Sequence, residues 1–214
     1  MVRRTKEEAE QTRGAILDAA ERLFLERGVA RTSLEQVARG AGVTRGAVYW
    51  HFRDKVALFE AMQARARLPQ EDVLECLLAA RTAAPEALNR LGLACRDVLH
   101  TLAHDDQRRR VYTILLRRCE YVEEMHAAAE RMRHNNRQVV ERVTRFFALA
   151  AESGTLAPHW SPPLAALALD GLMFGLITRL LESERPGEVA TLSQDTVDAF
   201  FRSLSNPARH GTEG

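Results

Sequence analysis

Arg45, Gly46, Tyr49 and Trp50 are the residues of this chain whose types and spacing point most directly to chemistry. On a helix, at about 100° per residue from Val43, they share one arc, while Thr44, Ala47, Val48 and His51 share the other. The second arc suits a neighbouring helix. The first combines a guanidinium, a missing side chain and two rings, which is odd for a solvent face and sensible for a DNA groove. Arginine pairs bidentately with guanine, glycine lets the backbone approach closely, and aromatic rings reach thymine methyls or phosphates. At this point the alternative that Tyr49 and Trp50 pack into a small helical core stays open.

The flanking residues supply the elements that would hold such an arc in place. Ser33 and Gln36 have the spacing of a capping box, and Leu34, Val37 and Ala38 give the helix they open one apolar face. Ala41-Gly42-Val43 is a turn, with Gly42 providing the backbone freedom, and Thr44 is a good N-cap for the next helix. Upstream, Thr5 and Glu8 form a second capping box. Ile16, Ala20, Leu23 and Phe24 continue at helical spacing until Gly28, so a first helix is expected from about residue 6 to 27. Three helices ending near Phe52 make a helix-turn-helix unit. Asp54 then caps a fourth helix, carrying Val56, Leu58, Phe59 and Met62 and expected to reach toward Ala80.

The rest of the chain is rich in Ala, Leu, Arg and Glu. It is interrupted at Pro85, Asp105-Asp106, Ser153-Gly154, Pro158, Pro162-Pro163 and Pro186-Gly187. These breaks predict helices of roughly 86–104, 107–118, 121–152, 163–184 and 191–205, with a disordered tail after Asn206-Pro207 (207–214). The fold class is therefore all-α with about nine helices. Residues 1–55 are expected to form a DNA-binding domain and 56–206 a second, helical regulatory domain, expected to serve ligand binding and dimerisation.

Composition narrows the function classes. Of 214 residues, 46% are hydrophobic and 28% charged, an ordinary globular balance. Residues 1–55 hold 11 Lys and Arg against 8 Asp and Glu, so the basic end is the end with the motif, as phosphate binding requires. Cys76, Cys95 and Cys119 are odd in number, without a C-x-x-C pair, and the first residues are charged. Both features point to a reducing cytoplasm. Pro162 to Leu181 is the one run that suggests a membrane span, yet Asp170 and Arg179 lie within it and each is costly in lipid. No membrane partner is expected.

No Gly-rich phosphate loop, G-x-S-x-G or H-E-x-x-H occurs, so no enzyme activity and no cofactor is expected. His100 and His104 are four apart and could share a metal, but a pair near a helix end more commonly interacts with the C-terminal dipole, and no metal is expected. Cys95 and Cys119 have apolar neighbours and read as packing residues. Leu164, Leu167, Ala168, Gly171, Leu172, Phe174, Gly175, Leu176 and Leu180 cover most of one helix, with Val197, Phe200, Phe201 and Leu204 on the next. So wide an apolar surface must be covered on two sides. A second subunit meeting the last two helices, about 163–205, in a four-helix bundle covers both; burial inside a monomer is the other possibility.

Tyr49-Trp50-His51-Phe52 with Lys55, following Gly42-Val43-Thr44-Arg45-Gly46, resembles the DNA-binding domain of the TetR family of bacterial repressors. Met1 to Ala9, Arg27 to Thr32 and Thr44 to Phe52 look more narrowly like the repressors of multidrug efflux pumps, with a looser likeness around Ile114 to Met125. The resemblance implies base-side contacts for Thr44, Arg45, Gly46, Tyr49 and Trp50. It implies phosphate contacts for Ser33, His51 and Lys55, and an arm of Arg3, Arg4 and Lys6. It also implies an effector pocket lined from the fifth to eighth helices, with Leu91, Cys95, Val98, Tyr112, Leu115, Leu116, Cys119, Asn136, Val139, Val143, Asp170, Met173, Phe174 and Ile177 as candidates. Related efflux repressors carry a carboxylate one helical turn before the arginine matched here by Arg179. This chain has Phe174 or Gly175 there and Asp170 a turn earlier.

The expected function is that of a homodimer holding a pseudo-palindromic double-stranded operator, controlling an efflux-pump operon and released by a small hydrophobic effector. The fourth helix is the expected lever to the reading head. Two alternatives accompany this reading: a regulator answering to one metabolite, such as an acyl-CoA or fatty acid, and an all-α enzyme or scaffold.

Overall fold

A computed structural model describes residues 6–66, 76, 87–119 and 125–206. The chain divides into two compact units, one of Met1–Arg67 with Gln107–Met132 and one of Leu68–Asp106 with Arg133–Gly214. Among the described residues there are nine α-helices and no strand, only an isolated antiparallel bridge between Leu156 and Ser205.

In the first unit, α1 (Lys6–Arg27) buries Ile16, Leu17, Ala20, Leu23 and Phe24, a single stripe at helical spacing. It stops where the sequence indicated: Gly28 has φ 84° and its N–H returns to Phe24 O at 2.9 Å. Helices α2 (Leu34–Gly40), α3 (Arg45–His51) and α4 (Lys55–Arg65) pack Val37, Val48, Leu58, Phe59 and Met62 onto that stripe. The same core takes in Val111 of α6 (Asp106–Thr113), Ile114 and Leu115 of the π-helical turn Ile114–Arg118 that continues it, and Met125. Val29 N–H donates to Arg118 O at 3.0 Å, tying the loop after α1 to the end of that turn. This unit is therefore larger than residues 1–55, because α4 and α6 complete its core. Helix α4 closes at Arg65, with Ala66 N–H turning back to Gln63 O at 3.1 Å; the remainder of the span expected to reach Ala80 lies outside the described residues, apart from a helical Cys76.

The second unit is built from α5 (Ala87–His104), most of α7 (His126–Glu152), α8 (Pro162–Glu182) and α9 (Pro186–Leu204). Helices α5 and α9 meet closely at Gly92, where a Cβ would come within 3.1 Å of the Phe201 ring, and Arg96 pairs with Asp198 at 3.0 Å. The link from α7 to α8 is stitched to the end of α9 by Ala157 N–H to Leu204 O at 2.8 Å and Trp160 Nε1–H to Ser203 O at 3.1 Å.

Two boundaries differ from the sequence reading. Pro186-Gly187 opens α9 instead of breaking the chain, since proline at the first helical position gives up an N–H that has no helical partner there. The predicted helix 107–118 is α-helical only to Thr113 and then widens into the π turn. The start of the predicted helix at 121, and the tail after Pro207, lie outside the described residues.

Candidate nucleic-acid interface and effector cavity

The reading head rests on three caps. Ser33 Oγ accepts from Gln36 N–H at 3.2 Å while Gln36 Oε1 accepts from Ser33 N–H at 2.8 Å, the reciprocal box that fixes the start of α2. Gly42, at φ 67°, reverses the chain, and Val43 N–H closes the turn on Ala38 O at 3.0 Å. Thr44 Oγ1 then accepts from Ala47 N–H at 3.2 Å and starts α3.

Only Val48 of α3 is fully buried, and the arc of Arg45, Gly46, Tyr49 and Trp50 faces outward. Trp50 is 73% exposed and Tyr49 43%, so neither ring belongs to the core. The Arg45 guanidinium sits 5.3 Å over the Tyr49 ring and donates to Tyr49 Oη at 3.4 Å, a hydrogen bond that further raises its pKa. The His51 ring meets Trp50 edge-on at 4.5 Å. A Cβ added at Gly46 would meet only Thr44 Oγ1, at 3.9 Å, so nothing in the fold itself requires a glycine there.

Beside this arc lies a polar cleft of about 430 Å³ that brings Ser33, Arg45, Tyr49 and Lys55 together with Arg31 and Arg53. Arg31 and Arg53 are not among the residues that helical spacing singles out, although Arg53 directly follows the aromatic run. Lys55 is 6% exposed, and its Nζ donates to Thr32 O at 3.1 Å and Ala30 O at 3.4 Å. Its ammonium binds the loop before α2 and is directed inward, whereas the Arg53 side chain is 81% exposed. Of the expected arm, Lys6 is exposed at the start of α1, and Arg3 and Arg4 lie outside the described residues.

The second unit holds an apolar cavity of about 170 Å³ that is partly open to solvent. It is lined by Leu91, Ala94, Cys95 and Val98 of α5, Val139, Val140 and Val143 of α7, and Ala166, Leu169, Asp170 and Met173 of α8. Seven of the fourteen candidates are thus brought together: Leu91, Cys95, Val98, Val139, Val143, Asp170 and Met173. The other seven are placed elsewhere. Leu115 is buried in the core of the first unit, Cys119 packs against that core, and Tyr112 and Leu116 belong to the same unit. Asn136 is exposed on α7. Phe174, 60% exposed, falls off the α8 stripe that faces the cavity, and Ile177 lies a turn beyond its end. Burial pushes the Cys95 thiol up to about 12, which keeps it neutral and unreactive. His104 Nδ1 is hydrogen-bonded to His100 O at 2.8 Å, so that nitrogen carries its proton instead of offering a lone pair.

These two sites have counterparts in known proteins. Residues 16–62 match the family described as bacterial regulatory proteins, tetR family, and residues 88–206 match the C-terminal region of MAATS-type transcriptional repressors. The HTH-type transcriptional repressor BepR of Brucella suis biovar 1 is 38% identical over 207 residues, covering 97% of this chain and 98% of its own. The crystal structure of NalD, the secondary repressor of the MexAB-OprM multidrug efflux pump in Pseudomonas aeruginosa, is similar with a TM-score of 0.81. It is 40% identical and covers 94% of this chain and 100% of that one. A complex of SmeT with triclosan is similar with a TM-score of 0.72 at 29% identity, covering 92% and 93%. The match is to regulators across nearly the whole length, which sets aside the enzyme or scaffold alternative. The chain belongs to the TetR family of bacterial transcriptional regulators.

Proposed function

We propose that this chain is a cytoplasmic repressor of a multidrug efflux operon. Two copies hold a pseudo-palindromic operator through their α3 helices, and a small hydrophobic drug in the cavity between α5, α7 and α8 releases it. The observation that carries this reading is the outward arc of α3. Arg45, Gly46, Tyr49 and Trp50 have no role in the core, yet the rod that presents them is capped at its start and anchored by Val48.

Pairing of two copies is supported by α8. It buries Ala165, Ala166, Leu169 and Leu180 and leaves Leu164, Leu167 and Phe174 exposed, along with Gly171 and Gly175. Closing this face on the same face of a second copy gives the twofold symmetry that half-sites about 34 Å apart demand. Control of an efflux pump is supported by NalD, whose structure is that of an efflux-pump repressor, and occupation by a hydrophobic drug by SmeT, solved with triclosan. A ligand releases DNA only by binding the DNA-incompetent state more tightly than the competent one.

Footprinting on the DNA upstream of the chain's own gene, followed by titration with triclosan, tests the reading. Protection of a dyad-symmetric segment that fades with the drug is expected. Equal operator affinity with and without hydrophobic compounds would overturn the effector role, and equal affinity for random duplex would overturn the operator.

A further inference from the structure

On the outer face of α5, opposite the stripe that buries Leu91, Cys95, Leu99 and Leu102, His100 and His104 stand exposed one helical turn apart. Their ring centres are 4.2 Å apart and the planes are tilted by 31°. Among the described residues they are the only two histidines in ring contact. Four residues is the spacing at which a helix offers two imidazoles to one metal ion, and equally that of a pair resting on the helix dipole. Two features of the structure favour the metal.

The first is the tautomer. His104 Nδ1 lies 2.8 Å from the carbonyl oxygen of His100, which can only accept, so Nδ1 holds the proton and Nε2 keeps its lone pair. A ring N–H tied to a backbone carbonyl is the arrangement that orients metal-ligating histidines and makes the other nitrogen more basic. The second is the ring separation. An ion held at about 2.0–2.1 Å by two imidazole nitrogens at roughly right angles sets the ring centres about 4–5 Å apart, which the pair already satisfies. The surroundings also suit a cation. The last turn of α5 carries the negative end of the helix dipole, Asp97 is exposed one turn before His100, and Arg96, the arginine of α5 nearest in sequence, is held by Asp198 at 3.0 Å.

We propose that His100 and His104 chelate a late first-row divalent ion through two imidazole nitrogens, with Cu(II) bound most tightly. No third protein ligand gathers beside them among the described residues, so water completes the coordination. Imidazole suits copper, nickel and zinc, and for a given ligand set copper binds the tightest of the three. Neither histidine lines the apolar cavity, so the site is independent of the effector reading.

Calorimetric titration of the full-length Cys76→Ser protein with Cu(II) chloride, and electron paramagnetic resonance of the resulting complex, test the proposal. The substitution removes an exposed thiol that would itself take the ion. One site per chain with nitrogen coupling in the spectrum is expected, and weaker binding of Zn(II). His100→Gln and His104→Gln should each weaken Cu(II) binding by at least about tenfold, whereas His126→Gln, at an exposed histidine beside Glu130, should leave it within about twofold. Asp97→His combined with His100→Gln keeps two imidazoles but sets them two turns apart, and should bind no better than His100→Gln alone. A thermal melt shows that each variant is folded, and asparagine replaces glutamine where one is not. The proposal is overturned if either single substitution leaves Cu(II) affinity within about twofold of the parent, if the separated pair binds as tightly as the original, or if no Cu(II) binds below about 1 mM.

Discussion

Arg45 and Tyr49, one helical turn apart on α3, hold each other: the guanidinium lies 5.3 Å above the ring and donates to its hydroxyl at 3.4 Å. The arrangement removes part of the rotamer freedom that an exposed arginine would otherwise lose on reaching a base. Arg45→Ala is expected to weaken operator binding by about 1–3 kcal/mol and to relax discrimination at one base pair. Tyr49→Phe keeps the ring but loses the hydroxyl, so its loss should be smaller. A gel-shift series on operators substituted one base pair at a time checks both; equal losses at every position would remove Arg45 from base readout.

Gly46 separates stability from function. Its surroundings admit a Cβ, with only Thr44 Oγ1 within 4 Å, and its φ is not in the left-handed region. Gly46→Ala is therefore expected to stabilise the protein by up to ~1 kcal/mol through helix propensity. At the same time it should weaken operator binding, because on the proposed docking the added methyl would stand where the backbone meets the groove. A urea melt alongside an operator isotherm shows the two effects with opposite signs. A variant that binds as well as the parent would show that α3 does not approach DNA at this point.

Lys55 and Arg53, two residues apart, should respond differently. Lys55 is buried on the carbonyls of Ala30 and Thr32, so Lys55→Ala leaves buried acceptors short of a donor and should cost about 1–3 kcal/mol of stability. Its effect on the salt dependence of DNA binding should be small. Arg53→Ala should barely change stability and should lower the slope of log K against log salt by about one. Measuring both slopes decides which cation meets phosphate; a slope change confined to Lys55→Ala would reverse the assignment.

Cys95 makes stability depend on alkaline pH. Its thiol is pushed up to about 12 by burial, from an ordinary value near 9.0. Between those values the unfolded chain releases the proton and the folded one keeps it, so the folded state loses ground as pH rises through that window, by about 1.4 kcal/mol per unit. Below pH 9 the group contributes no slope. Urea melts at pH 8, 9 and 10 should therefore steepen in their pH dependence for the parent relative to Cys95→Ala, and iodoacetamide at pH 8 should label exposed Cys76 before Cys95. Identical slopes in the two proteins would count against a sealed thiol.

Much of the reading head is legible in local sequence because its signals are local. Gly28 ends α1 and Gly42 turns the chain with positive φ, and the helical period alone separates Val48 from Arg45, Tyr49 and Trp50. What could not be read depends on neighbours distant in sequence. Lys55 is a surface type buried by carbonyls more than twenty residues upstream, and nothing in Ile114 to Arg118 announces a π turn. For Leu115 and Cys119, periodicity marks an inward face but not which core receives it, so they were expected at the cavity and lie in the first unit instead.

Among the described residues Glu21 is the most deeply buried charge of the first unit, and it joins three helices. It is 3% exposed on α1, meets the Arg65 guanidinium of α4, and accepts from Gln107 Nε2 of α6 at 3.3 Å, while Asp18 holds Arg65 from the solvent side at 2.8 Å. Desolvation works against the Arg65 charge, and the hydrogen bonds it donates to Glu21 and Asp18 outweigh it, leaving its pKa raised. Removing the buried partner should cost more than removing the exposed one. Glu21→Ala strands Arg65 in a site built for a carboxylate and is expected to cost about 3 kcal/mol, whereas Asp18→Ala should cost under about 1 kcal/mol. The double variant Glu21→Met with Arg65→Met should recover most of the loss, since a well-packed apolar pair of similar volume can replace a buried ion pair. Chemical denaturation of all three decides it. If Glu21→Ala and Asp18→Ala cost the same, the buried carboxylate is not what holds α1, α4 and α6 together.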